Sequence, residues 1–348
     1  MAKRYKIGVI RGDGIGPEII DSTLEVLQHL NPGIDFVEIS AGYEYYKKTG
    51  KAVEDTFFDT IRNLDAVLKG PLYTPPHDPN FKSVNILIRK ELDLYANIRP
   101  FKSFRGVSQK VFNIVIFREN TEGEYVGIEG MFNNIAISLR IISEKGSRRI
   151  CDLAFRYAKL LGFKKVSVVH KANILKVSDG LFRRIFFDVA KNYPDIAANE
   201  IIVDTAAYML VKNPEDLQIL VTPNLYGDIL SDLVGGLMGS LGLCGSALIG
   251  DTIGVFEPIH GVAMDIASKG IANPVGAMMA AKMMLEYLAQ RYSDSTLIEK
   301  TRALENSIYT VIEDKKIWTP DLGGNYKTRD VAKAVTEELN KILYASLR

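Results

Sequence analysis

The chain has 348 residues, 47% of them hydrophobic, and its 43 basic and 42 acidic side chains leave a formal net charge of +1. That is enough chain for two domains or one large α/β unit, and charge without long runs of either sign argues against general nucleic-acid or membrane-surface binding. Cys151 and Cys244 are the only cysteines and show no metal-site or redox spacing, so no disulfide framework is expected and a reducing cytoplasm fits. Met1-Ala2-Lys3-Arg4 passes straight into a strand with no apolar signal region, and no uncharged window of about 18 residues suggests a membrane span.

Strand-like runs alternate with helical periodicity along most of the chain, which predicts a largely parallel sheet covered by helices. Tyr5–Ile10 reads as the first strand, and Gly12-Asp13-Gly14-Ile15-Gly16-Pro17 then opens a helix over Pro17–Leu30. The glycine spacing is one residue short of the dinucleotide fingerprint, so this loop is first a tight turn with a proline start, with a ligand-facing role left open. Strands follow at Phe36–Ser40 and Ala66–Lys69, a helix from Val84 to about Leu92 with Ser83 as its N-cap, and a strand at Ile114–Arg118. The stretch from Gly127 to Ser143 breaks the pattern. Its alternating run Ile135–Ile142 has no evident helix to cover it, and such an apolar edge could pair across a subunit interface. Helices at Ser147–Leu161, Asp179–Lys191, Leu225–Met238, Val275–Ala289, Thr296–Asp314 and Asp330–Tyr344 interleave with strands at Val166–His170, Glu200–Val203 and Leu217–Val221.

Three arginines end otherwise apolar segments: Arg89 in Ser83-Val84-Asn85-Ile86-Leu87-Ile88-Arg89, Arg99 in Tyr95–Pro100, and Arg118 in Phe117–Asn120. A guanidinium binds carboxylate with two parallel hydrogen bonds and keeps its charge when partly desolvated, so the trio points to a small polyanion such as a polycarboxylate. Asn85 and Arg89 share a helix face, and the Ser83 hydroxyl with free N–H groups of the helix start would add donors; the plainer reading is a capped surface helix.

Asp228 and Asp232 stand four apart on one predicted helix face, and Asp204 ends the apolar run Ile201-Ile202-Val203. Oxygen ligands without histidine or cysteine pairs suit Mg²⁺ or Mn²⁺; the alternative is a solvated acidic face. Tyr125 and Lys171 form a candidate proton-transfer pair, since a nearby ammonium lowers a phenol pKa; as lone residues they read as a packed aromatic and a surface lysine.

Together these motifs resemble the β-decarboxylating dehydrogenases, the family of isocitrate, homoisocitrate and 3-isopropylmalate dehydrogenases. The resemblance runs through Gly12–Glu18, Lys69–Pro71, Ser83–Pro100, Phe117–Glu122, His170–Asn173, Asp204, Asn224–Asp232, Glu257–Gly261, Ala272–Pro274 and Asp321–Gly324. It implies the two-domain, non-Rossmann α/β fold of that family, with a mixed, largely parallel sheet. Residues 1–100 and 253–348 would form a large nucleotide-binding domain, and 101–252 a small substrate and dimerisation domain with an arm near 127–143. It implies that Arg89, Arg99 and Arg118 hold substrate carboxylates, that Asp204, Asp228 and Asp232 hold Mg²⁺ or Mn²⁺, and that Tyr125 and Lys171 handle protons. Lys171 and Asp204 would complete the neighbour's site in a homodimer. Asp265 and Ile266 resemble the NAD-using members, with Thr74, His260, Gly261 and Asn273 also at the cofactor. Ser83 and Asn85 resemble the isocitrate enzymes, which implies a third carboxylate on the substrate and oxidative decarboxylation of isocitrate. Tyr73, Tyr208-Met209 and Val262-Ala263-Met264 depart from the common pattern, so homoisocitrate stays the main competitor, ahead of 3-isopropylmalate. The alternative of a different class is a non-catalytic regulatory subunit.

Overall fold

The computed structural model describes residues 4–30, 32–78 and 81–345. Its strands are β1 (Tyr5–Ile10), β2 (Ile34–Glu38), β3 (Ala66–Lys69), β4 (Ala96–Lys102), β5 (Asn113–Glu119), β6 (Glu129–Phe132), β7 (Ile135–Ser138), β8 (Lys165–His170), β9 (Ala197–Ile202), β10 (Ile219–Thr222), β11 (Gly245–Ile249) and β12 (Gly254–Pro258). Ten of them form one sheet in the order β2-β1-β3-β12-β11-β4-β5-β10-β8-β9. The two outer portions are parallel, β2-β1-β3-β12 on one side and β5-β10-β8-β9 on the other. Between them β11 and β4 run antiparallel to their neighbours, so the sheet is mixed, as anticipated. β11 lies between β12, the next strand along the chain, and β4, from the first third of the sequence.

The wholly buried runs of β3 and β10 explain their continuous apolar sequence, because helices cover both faces. Helix Val275–Tyr292 packs its alanines and methionines across β11 and β12 and is buried along most of its length. Helix Glu144–Leu161 begins where the Ser143 hydroxyl accepts the Gly146 N–H at 3.0 Å, three residues before the expected start, and stops at Gly162 with φ 76°.

Several expectations shift. Glu200–Val203 does not end in a strand residue: β9 stops at Ile202 and helix Val203–Lys212 starts at once, placing Asp204 in a helix's first turn. The helix expected over Thr296–Asp314 is α-helical from Ser295 to Tyr309 and then widens into a π turn over Thr310–Asp314. The 127–143 segment is a hairpin of two short strands, β6 and β7, rather than one long strand. Met131, Phe132, Ile135 and Ile137 on it are all exposed, so its apolar residues find no cover within the chain. Among the described residues no helix is long and apolar enough to cross a membrane.

The glycine loop resolves as a scaffold. Gly12 and Gly14 take φ of 78° and 59°, and a Cβ on Gly14 would stand 2.1 Å from the Val262 carbonyl oxygen. Only glycine allows that approach, which lets Ile15 N–H donate to the Val262 carbonyl at 2.9 Å and Asp13 N–H to the Pro71 carbonyl at 2.8 Å. The fully buried Asp13 carboxylate accepts the backbone N–H groups of Tyr43, Glu44 and Tyr73 at 2.8–3.0 Å, so the first loop ties the 71–73 and 260–266 loops together.

Candidate active site

Lys69 of β3, Glu257 of β12 and Arg118 of β5 face one cleft, where the two parallel portions of the sheet, running in opposite directions, meet across β11 and β4. A cavity of about 280 Å³ opens there, lined by Ser83, Asn85, Arg89, Arg99, Arg118, Tyr125 and Asp228 together with Lys69 and Glu257. The three arginines, ten and nineteen residues apart along the sequence, therefore converge as the polyanion reading requires. Arg118, the penultimate residue of β5, has its side chain 1% exposed; its Nε donates to the backbone and side-chain oxygens of Asn224 at 3.0 and 2.9 Å, and it pairs with Asp228. Gly227 makes room for it, because a Cβ there would stand 2.7 Å from the Arg118 Cγ. Arg99 donates to the Ser231 hydroxyl at 2.6 Å and stands 3.5 Å from Asp228 and 3.8 Å from Asp232. Arg89 reaches only to within 4.0 Å of Glu257.

Burial first and the other guanidiniums second pull the Arg118 pKa below its ordinary value, and burial does the same to Arg99. These cations are crowded. Arg118 Nη2, Arg89 Nε and Asn85 Oδ1 are buried without a hydrogen-bond partner, which a native interior rarely tolerates unless a ligand supplies one.

Ser83 occupies the N-cap position of helix Val84–Glu91, but its side chain makes no capping hydrogen bond. Its oxygen instead accepts from the Thr74 hydroxyl at 3.1 Å, which leaves its own hydrogen free for the cavity. Thr74, expected at the cofactor, thus sits behind Ser83 and lines neither of the two cavities described here.

Asp228 and Asp232 lie on helix Asn224–Met238, one turn apart, both facing Arg99. Burial works to raise the Asp228 pKa, but Arg118, Arg99 and the Tyr125 hydroxyl outweigh it and hold the carboxylate below the usual range. Burial prevails at Asp232, whose pKa rises. Asp204 is not with them: it is exposed and pairs with Lys171. Among the described residues no three His, Cys, Asp or Glu side chains gather in a metal-holding group.

Tyr125 lies in the short turn Glu124–Val126 and donates its hydroxyl hydrogen to Asp228. The expected lysine beside it is absent within one chain, and the expected lowering of its pKa is reversed: burial and the Asp228 hydrogen bond raise it. The phenol holds its proton firmly. Lys171 follows β8, its backbone N–H bonded to Asp179 at 2.7 Å and its ammonium on Asp204.

A second cavity of about 470 Å³ shares His260 and Gly261 with the first. Ile15, Leu241, Ala263, Ile266 and Ile271 make it apolar, and Asn273 and Asp321 supply polar groups. Asn273 donates to Asp321 at 3.1 Å, and burial lowers the His260 pKa and leaves its Nε2 without a partner. That neutral imidazole, apolar walls and a fixed amide–carboxylate pair suit a flat, uncharged heterocycle. Asp265 is exposed at the rim, one residue before Ile266.

Sequence reasoning gave no role to Lys69 and Glu257, which form a buried ion pair in the cavity wall, or to Asn224, which seats Arg118. Their signal was a lysine and a glutamate closing strands that are otherwise apolar.

The isocitrate/isopropylmalate dehydrogenase family model matches residues 6–338. Homoisocitrate dehydrogenase of Methanocaldococcus jannaschii is 40% identical, covering 97% of this chain and 99% of that protein. The 3-isopropylmalate/3-methylmalate dehydrogenase of the same organism is 44% identical, covering 96% of this chain and all of that protein. The crystal structure of isocitrate dehydrogenase from Methylococcus capsulatus superposes with a TM-score of 0.91 at 42% identity, covering 96% of this chain and 99% of that one.

Proposed function

Since this chain belongs to the isocitrate/isopropylmalate dehydrogenase family and is a decarboxylating dehydrogenase, we propose that it oxidises a tricarboxylic 2-hydroxy acid with NAD, isocitrate first and homoisocitrate second. Relatives of comparable identity are named for four substrates, so overall similarity does not choose among them. The observation that carries the choice is the pairing of Ser83 and Asn85 at the mouth of the three-arginine cavity: a free hydroxyl hydrogen and a spare amide N–H suit a third carboxylate and would be stranded against an isopropyl group.

Arg89, Arg99 and Arg118 hold and orient the substrate carboxylates, and the adjoining second cavity, with Asn273 near the adenine, would hold the cofactor. NAD supplies the hydride acceptor; Asp265 and Ile266 favour it, since a carboxylate at the adenosine ribose repels an added phosphate. Asp228 and Asp232, with Asp204 of the neighbouring subunit, would hold Mg²⁺ or Mn²⁺, whose chemistry is to acidify the C2 hydroxyl and stabilise the charge left when CO₂ departs. Lys171, offered by the neighbour, would assist removal of the hydroxyl proton. Tyr125, which keeps its proton at neutral pH, donates it to the carbon that has lost CO₂. The exposed hairpin and the exposed Lys171–Asp204 pair favour a homodimer that shares its sites.

The test is NADH formation with Mg²⁺ or Mn²⁺, comparing kcat/KM for isocitrate, homoisocitrate and 3-isopropylmalate, with NADP in parallel. Preference for isocitrate with NAD is expected. Preference for homoisocitrate keeps the mechanism and shows that Tyr73 or its neighbours reset the pocket. No turnover with any substrate refutes the proposal in favour of a regulatory subunit.

A further inference from the structure

Arg140 lines neither cavity, yet one guanidinium touches all three segments that carry the proposed chemistry. Its Nε donates to Glu124 at 2.7 Å, next to Tyr125 in the chain. Its Nη1 donates to Asp179 at 2.7 Å and to the Tyr226 hydroxyl at 2.9 Å, and its plane lies 4.4 Å over the Tyr226 ring. Tyr226 precedes Asp228 by two residues on the same helix. Asp179 is fully buried, and its other oxygen accepts the Lys171 backbone N–H at 2.7 Å. The arginine side chain is itself 12% exposed.

The turn that holds Tyr125 needs such an anchor. It is three residues long and lies between Gly123 and Gly127, both with positive φ, so the backbone gives it little stiffness of its own. Beyond Arg140, the turn is tied to the base of the hairpin by the paired hydrogen bonds of Gly123 and Ile141, at 2.8 and 3.3 Å. A lysine could not replace the guanidinium, because three acceptors lie around one planar fork and a ring lies under it.

We propose that Arg140 is a positioning residue that holds Tyr125 and the Lys171 backbone in register with the Asp228 helix. The inference rests on the proposed function for the roles of Tyr125 and Lys171. In a dimer where Lys171 serves the neighbour, Arg140 then ties the acid of its own site to the base of the other, at the root of the hairpin that joins them.

The experiment measures kcat and KM for Arg140→Ala, Arg140→Lys and the milder Glu124→Gln, using the best of the three substrates with NAD and Mn²⁺. Melting temperature and sedimentation are followed alongside, and ethylguanidinium is added back to Arg140→Ala. Misplacing reacting groups without removing them predicts a loss of roughly 10²-fold in kcat for Arg140→Ala and about tenfold for Glu124→Gln, with KM changed by less than about threefold. Ethylguanidinium should restore part of the rate, and Arg140→Lys should recover little. If Arg140→Ala fails to fold, Glu124→Gln decides: kcat equal to that of the unsubstituted protein overturns the inference, as does a loss confined to KM. A protein without turnover before any substitution overturns the proposed function, and this inference with it; an active protein whose Arg140→Ala variant is equally active overturns this inference alone.

Discussion

The substrate assignment can be inverted at two positions, Ser83→Ala with Asn85→Leu. Ser83 accepts from Thr74 and so has its hydroxyl hydrogen to give, and Asn85 spends one N–H on the Leu72 carbonyl at 3.3 Å and keeps the other. On the tricarboxylate reading these two donors would serve the third carboxylate. A hydrogen bond to a charged group is worth about 1.5–3 kcal/mol, so losing both costs roughly 3–6 kcal/mol, a drop of roughly 10²–10⁴ in kcat/KM for isocitrate. An isopropyl group gains in the same pocket. At about 0.8 kcal/mol per buried carbon, its three carbons add roughly 2 kcal/mol, a rise of roughly 30-fold for 3-isopropylmalate. Folding should be spared, since Ser83 makes no capping bond and leucine is a better helix former than asparagine. NADH formation with both substrates reads the ratio directly. A double variant that keeps the isocitrate preference of the unsubstituted protein would show that the discriminating contacts lie elsewhere, and the tricarboxylate reading would lose its support.

Arg118→Lys keeps the charge but cannot bond both Asn224 oxygens and Asp228 while offering a further N–H to substrate; kcat/KM should fall roughly 10²-fold or more, and an unchanged value would mean that Arg118 only balances charge. Asp265→Lys with Ile266→Tyr should move preference from NAD toward NADP without loss of melting temperature, because Asp265 is exposed; parallel kcat/KM values for the two cofactors check it, and an unaltered ratio counts against the ribose role. Replacing residues 128–139 by a short glycine-serine turn should give a folded but inactive monomer by sedimentation, and an active dimer would assign the hairpin another purpose.

The arginine trio was legible because a charged residue closing an apolar strand or helix is costly unless something binds it, and that signal is local. The inner parallel strands β3, β5, β8 and β10 were legible as nearly uninterrupted buried runs. β4, β11 and β12 were not. β4 carries Arg99 and Pro100 in its centre, and β11 and β12 are short with glycine at their starts, so none shows clean alternation. Helices Tyr43–Thr49 and Phe57–Arg62 are too short to establish a period, and Val203–Lys212 follows β9 with no turn residue to announce it. Asp204, read only as closing an apolar run, therefore falls in a helix start that the sequence did not announce. Ser83 gave a true helix start but a false cap, because Thr74 competes for its oxygen, and only tertiary structure shows Thr74 there. The direction of the Tyr125 pKa within one chain could not be read from sequence, because it depends on which charged group reaches the phenol. In the chain this is the Asp228 carboxylate rather than an ammonium.

Asp228 is the hinge of the site's electrostatics. It already pairs with Arg118, stands 3.5 Å from Arg99 and accepts the Tyr125 hydroxyl, so its charge is balanced before any metal arrives. A divalent cation must therefore compete with two guanidiniums for this carboxylate, and those guanidiniums repel it. A tricarboxylate would change the balance: its own carboxylates would engage Arg118 and Arg99 and release Asp228 to the cation. Substrate and metal should then bind with positive coupling, and by linkage each must raise the other's affinity equally. Titrating Mn²⁺ by electron paramagnetic resonance, with and without isocitrate and in the absence of NAD, should give binding at least about tenfold tighter with substrate present, a coupling of about 1.4 kcal/mol. Equal affinities would mean that Asp228 stays with Arg118 throughout and that the cation is held by other groups.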